Sequence, residues 1–189
     1  MNKPPQTVSF IHMEDGTKDE YAFLTEQEHE YNKQLPERLL AALQELESSF
    51  GGYKVSRLEH SLQSATQAWQ AGEEEEMVVA ALLHDIGDPL APNSHSEMAA
   101  AILRPYVSDR IYWIIKHHGL FQAYYYAHHF ERDRNARDVH KDHRWYQDCV
   151  DFCANYDQNC FDPEFKSKPL EFFRPMVERV FAEPKNFDY

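Results

Sequence analysis

Basic residues are scarce in this chain: 19 lysines and arginines stand against 32 aspartates and glutamates, a formal charge of -13 over 189 residues. Phosphate backbones and anionic bilayers bind through clustered Lys and Arg, so neither nucleic acid nor a membrane is expected as the main partner. A small molecule is expected instead, and one with a cationic part meets a favourable field. No apolar run approaches the roughly 18 residues that a membrane span needs. The opening residues Met1 to Phe10 lack the charged-then-apolar layout of a secretion signal, so the expected location is the cytoplasm. Cysteine is sparse too. Cys149, Cys153 and Cys160 are odd in number and contain no CxxC pair, which argues against a disulfide framework or a cysteine zinc site and reads as free thiols on or near a helix. Internal repeats, low-complexity linkers and any convincing core strand are also lacking.

What is present is enough apolar residue, 42%, and enough length for one domain with a single sizeable core. Residues 1–35 are polar and irregular, with a short strand or flap expected around Thr7 to His12; residues 36–189 are expected to form one helical domain. From Pro36, a residue suited to the first turn of a helix, Leu39, Leu40, Leu43 and Leu46 keep helical spacing up to Gly51-Gly52. The same period returns in Leu58, Leu62, Ala65 and Trp69 up to Gly72, and in Met77, Val78, Ala81 and Leu82, which lead into His84-Asp85-Ile86-Gly87. It recurs in Met98 to Leu103, Ile111 to Ile115, Val150 to Tyr156 and Phe172 to Phe181. The fold class expected is therefore all-α. Phe121 to His143, rich in Tyr, His and Arg with weak periodicity, reads as either a long functional loop or a broken helix.

Chemistry concentrates in His60, in the block Ala80-Ala81-Leu82-Leu83-His84-Asp85-Ile86-Gly87, and in Asp157. Imidazole and carboxylate together suit divalent iron, manganese or zinc. An aspartate beside a histidine on an Ala/Leu-rich helix costs several kcal/mol to bury unless something satisfies it, and a metal ion does that. Adjacent residues at a helix end can point to one centre, and Asp85 can bridge to a second metal through its other oxygen. These residues resemble the signature of the HD superfamily: a His, then His-Asp, then a distant Asp. The resemblance implies an HD-domain helical bundle, with His84 and Asp85 at the heart of the chemistry.

His95 and His118 extend the set to six candidate ligands, enough for two metals roughly 3.5 to 4 Å apart. The six, over roughly Tyr53 to Phe161, resemble the mixed-valent diiron oxygenase branch that holds myo-inositol oxygenase and the phosphonate-cleaving oxygenases. By that likeness His60, His84, Asp85 and Asp157 hold one iron, and Asp85 with His95 and His118 holds the other, as a mixed-valent Fe(II)/Fe(III) pair. His117 rivals His118, which is preferred because Ile115-Lys116 precede it as Ile-Arg precedes the family's ligand. Departures from the branch are informative. Its lid tyrosine and glutamate positions hold Phe50 and Tyr53 here; its HDIGH becomes HDIGD with Asp88; and a lysine after the last histidine ligand becomes Gln122. The pocket is thus less cationic than that of an aminophosphonate enzyme. Tyr124-Tyr125-Tyr126 with His128-His129 offer aromatic faces of the kind that hold quaternary ammonium groups, although two or more of them can equally be packing residues. Arg57, one turn before His60, either meets an anionic substrate group or forms a surface salt bridge with Glu59 or its neighbours.

The expected substrate-binding residues are Tyr53, Arg57, Asp88, Gln122 and Tyr126. The expected reaction uses O2 and two iron ions to cleave the C–P bond of 1-hydroxy-2-(trimethylammonio)ethylphosphonate, giving phosphate and glycine betaine. The alternative is an HD-type phosphohydrolase in which the metals activate water against a phosphate ester or nucleotide. A catalytically dead sensor module is disfavoured by six intact ligand positions. Oligomeric state is not legible.

Overall fold

The computed structural model describes residues 7–186. Among them are eight α-helices and no β-strand: α1 Lys18–Asn32, α2 Leu35–Glu45, α3 Arg57–Gln70, α4 Glu75–Leu83, α5 His95–Leu103, α6 Asp109–Gln122, α7 Tyr146–Tyr156 and α8 Leu170–Val180. The all-α expectation holds. The helix that begins at Pro36 breaks into a 3-10 turn at Leu46–Ser48, ahead of Gly51.

Helix α4 organises the core. Every residue from Met77 to Leu83 is buried; a helix apolar on all sides belongs in the middle of a bundle. Helix α3 packs along it, α8 covers another flank, and α6 lies between α5 and α7. Leu43, Leu46, Val79, Leu82, Leu103, Ile111, Ile114, Phe121, Phe152 and Phe173 join the same continuous core. Because α4 runs through the centre, its C-terminal end delivers the next two residues, His84 and Asp85, into the interior rather than to the surface.

Two sequence expectations are corrected near the N-terminus. Residues 7–12 form bends and not a strand, and residues 18–32, read as irregular, form α1. The start of α1 is a capping box: Thr17 Oγ1 accepts from Glu20 N, and the Glu20 carboxylate accepts from Thr17 N. Since α1 buries none of its residues, it needs no apolar stripe, and a reading based on hydrophobic period had nothing to find. Between α6 and α7 the chain makes 3-10 turns at Ala123–Tyr125, Ala127–Phe130 and Ala136–His140, so the broken-helix reading is the correct one. Cys149, Cys153 and Cys160 are free and buried, the first two on α7.

Replacing Leu82 by Ala removes a fully buried side chain from the central helix and is expected to lower unfolding free energy by about 2–5 kcal/mol in a denaturant titration. Leu90→Ala, at a position 78% exposed, is expected to change it by less than about 0.5 kcal/mol.

Candidate metal centre

Five helices bring ligands together around Asp85. His60 comes from α3, His84 and Asp85 follow the last turn of α4, His95 opens α5, His118 lies in α6, and Asp157 caps the end of α7. The two oxygens of the Asp85 carboxylate face different partners. Oδ2 lies 3.2 Å from His60 Nε2 and 3.1 Å from His84 Nε2; Oδ1 lies 3.4 Å from both His95 Nε2 and His118 Nε2. Asp157 Oδ1 joins the first group, 3.4 Å from His60 Nε2 and 3.7 Å from His84 Nε2. The structure therefore brings all six sequence-predicted ligands to one place and divides them into two sets that share Asp85.

Hydrogen bonds to the far side of each ring decide which nitrogen points inward. His60 Nδ1 lies 3.0 Å from Cys160 O, His84 Nδ1 2.7 Å from Ala81 O, and His118 Nδ1 2.6 Å from Ile115 O. A carbonyl can only accept, so each Nδ1 carries the proton and each neutral ring presents an Nε2 lone pair to the centre. His60 Nε2 and His84 Nε2 then face one another at 3.1 Å, a repulsive arrangement until a cation sits between them. His118 Nε2 and Asp157 Oδ2 are buried with no hydrogen-bond partner, and orphaned buried polar atoms of this kind call for an ion. The donor set thus fits metal ions. His60, His84 and Asp157 form one group with ligand atoms close enough to share an ion, as do His84, Asp85 and His118, and Asp85, Asp88 and His95.

Electrostatics point the same way. Burial is the largest influence on Asp85 and Asp157 and opposes their ionisation, yet the surrounding imidazoles outweigh it and hold both pKa values below the ordinary carboxylate range. For His60 and His84, burial again opposes charge, and the carboxylates outweigh it and raise both. In the metal-free chain the cluster keeps its carboxylates ionised and attracts protons to the rings, protons that a bound metal would displace. His95 moves the other way, lowered by burial and by the nearby His118 and His84.

Glycine makes the second set possible. A Cβ on Gly87 would lie 2.8 Å from His95 O and 2.9 Å from His95 Cα, and one on Gly119 would lie 2.6 Å from Ser96 Oγ. The start of α5 therefore rests directly on the turn after Asp85 and on α6 beside His118. Gly119 has a sequence signal of its own, because a glycine inside a helical run marks close approach. Phe161, which lies four residues beyond Asp157 and has no such signal, stacks on His60 with ring centroids 4.4 Å apart.

His117 lies away from the centre. Its Nδ1 bonds Trp113 O and its ring stacks on Trp113 at 4.3 Å, while the next residue turns inward. A cavity of about 590 Å³ opens over the centre, and Asp85 and His95 are the two candidate ligands in its lining. Tyr53, Arg57, Asp88, Gln122 and Tyr126 all line it, together with Phe50, Tyr125, Phe130 and Phe161. Arg57 is buried and so does not form the surface pair with Glu59; its guanidinium is tied to Asp85 and to Asp88, the latter at 2.8 Å. Gln122 Nε2 donates to Asp157 Oδ1. Tyr124 is outside the lining, with Arg134 and Arg137 against its ring, and His128 and His129 are exposed on the surface; the expected quaternary-ammonium contacts therefore narrow to Tyr125 and Tyr126.

Asp85→Ala is expected to abolish binding of both metals, whereas Asp157→Ala is expected to weaken only the buried set; elemental analysis of purified variants distinguishes them, and two full equivalents retained by Asp85→Ala would sink the shared-ligand assignment.

Residues 57–148 match the family model described as the HD domain. Over 84 residues the chain is 34% identical to [1-hydroxy-2-(trimethylamino)ethyl]phosphonate dioxygenase (glycine-betaine-forming) of Leisingera caerulea, an alignment that covers 39% of this chain and 43% of that protein. The similarity thus spans less than half of either protein. The chain is thus all-helical among its described residues, is similar to the HD domain over residues 57–148, and gathers its helices around clustered histidines and aspartates able to hold two metals.

Proposed function

We propose that this protein is a diiron oxygenase that cleaves the C–P bond of 1-hydroxy-2-(trimethylammonio)ethylphosphonate. The observation that carries this reading is the division of Asp85: one oxygen faces His60 and His84, which close on Asp157, and the other faces the buried His118 and His95, which lines the cavity. A shared carboxylate couples two ions and leaves one open to substrate, which suits a two-metal oxygenase; two-metal hydrolases use the same device, and the name of the relative from Leisingera caerulea favours the oxygenase. His60, His84, Asp85 and Asp157 would hold the first iron, and Asp85, His95 and His118 the second. When bound, the irons supply the one-electron chemistry that activation of O2 requires.

The overall reaction balances with O2 as the oxidant: one oxygen atom goes to C1, which becomes a carboxylate, and one goes to phosphorus, which leaves as phosphate, while of the C1–H and hydroxyl hydrogens one ends on phosphate and one is released as a proton. The chain's residues handle the rest of the molecule. Arg57 is compensated by Asp85 and Asp88, so the lining carries little net positive charge and two carboxylates. Phe50, Tyr53, Tyr126 and Phe130 form a partly exposed aromatic rim. Aromatic faces beside carboxylates suit a trimethylammonium group, and the name of the relative from Leisingera caerulea contains that group.

Iron-loaded protein mixed with this phosphonate is expected to hold two irons per chain and to release phosphate only when O2 is present. Oxygen-independent phosphate release from phosphate esters would replace the reading by a hydrolase. Tyr126→Ala is expected to raise KM for the trimethylammonium substrate about 2- to 30-fold, equivalent to a cation–π contribution of about 0.5–2 kcal/mol, with a smaller change for an analogue that lacks the charged group.

A further inference from the structure

His95 differs from the other three histidines in how its ring is held. His84 and His118 give their Nδ1 protons to carbonyls three residues earlier, which is possible because a helical turn precedes them. His60 gives its own to Cys160 O from a distant segment. His95 is the first residue of α5 and follows an irregular turn, so it has no preceding helical turn to supply a carbonyl. What faces its Nδ1 is a side chain: Asp88 Oδ1, 3.5 Å away. The other oxygen, Asp88 Oδ2, accepts from Arg57 Nε at 2.8 Å, and Arg57 reaches on to Asp85. Asp88 is buried and cannot reorient freely.

We infer that Asp88 is the positioning residue of the outer metal set: it fixes the tautomer and direction of His95, and Arg57 in turn fixes Asp88. The inference rests on the two-metal reading above. A carboxylate behind a ligating imidazole sets which nitrogen is free and raises its basicity, and loss of such a partner weakens metal binding by about 10–100-fold. His60 and His84 of the inner set are aimed by backbone carbonyls, and Asp88 reaches that set only indirectly, through Arg57 and Asp85 Oδ2. Loss of Asp88 therefore falls mainly on the ion that His95 holds. Positioning His95 also gives Asp88 a task other than contact with substrate, although the residue lines the cavity.

Anaerobic titration of the full-length metal-free protein with Fe(II), read by bound iron and by a competing chelator, tests this. Wild type is expected to bind two equivalents. Asp88→Ala is expected to keep the first at wild-type affinity and to bind the second about 10–100-fold more weakly, as a His95→Ala reference does more severely. Asp88→Asn is expected to lie between, because its amide oxygen still faces His95 Nδ1 while Arg57 loses a charge partner. A fall in both affinities together, as general damage to the fold would produce, overturns the inference, and so does an Asp88→Ala variant that binds both ions like wild type. A wild-type protein that binds a single equivalent overturns the two-metal reading and this inference with it.

Discussion

The arrangement depends on a single buried carboxylate. Asp85 sits among four imidazoles and one guanidinium, in a setting where burial alone would force it neutral. Its negative charge is retained because imidazoles acting as charges and hydrogen-bond donors, together with the Arg57 guanidinium, surround it, and their positions are retained because Asp85 is there. Remove the charge and the rings lose the group around which they are oriented; remove the rings and the charge cannot stay buried. The cluster is therefore cooperative in the sense that pairwise accounting fails for it.

The helical scaffold meets this constraint with ordinary means. An apolar central helix ends at His84, so the two most important polar residues emerge where the core is densest. Backbone carbonyls at the end of α4 (Ala81), within α6 (Ile115) and after α7 (Cys160) hold three imidazoles by their outer nitrogens, which aims the rings. Gly87 and Gly119 let α5 lie against its neighbours at distances where a methyl group would collide with backbone or with Ser96. Each device is local, and together they confine the ligand atoms to one small volume.

Much of this was legible in the sequence. Helical periodicity found the elements that bury a face, from α2 to α8, because burial imposes the apolar spacing being read. It missed α1, which is held by capping and buries nothing, and it left open the stretch after Gln122, where 3-10 turns have no strong period. The six candidate ligands were named from residue type and context, and they converge. The preference for His118 over His117 matches the inward ring, since in a helix adjacent residues point about 100° apart and one alone can face the centre. The environment of Arg57 was not legible: its partners Asp85 and Asp88 lie 28 and 31 residues away, and only the fold brings α3 against the turn after α4. For the same reason the sequence grouped Tyr124, His128 and His129 with the pocket, whereas the tight turns point them elsewhere.

The unequal enclosure of the two ligand sets has a kinetic meaning. His60, His84 and Asp157 are shielded completely from solvent, whereas the His95 side chain remains 25% exposed. An ion held by the inner three has no ligand at the surface to detach first, so its departure runs either through the outer position or through a local opening of the bundle. Filling and emptying would then follow the order of a stack, last in and first out, and an ion lost from the outer position would leave the inner one in place as a seed for reassembly.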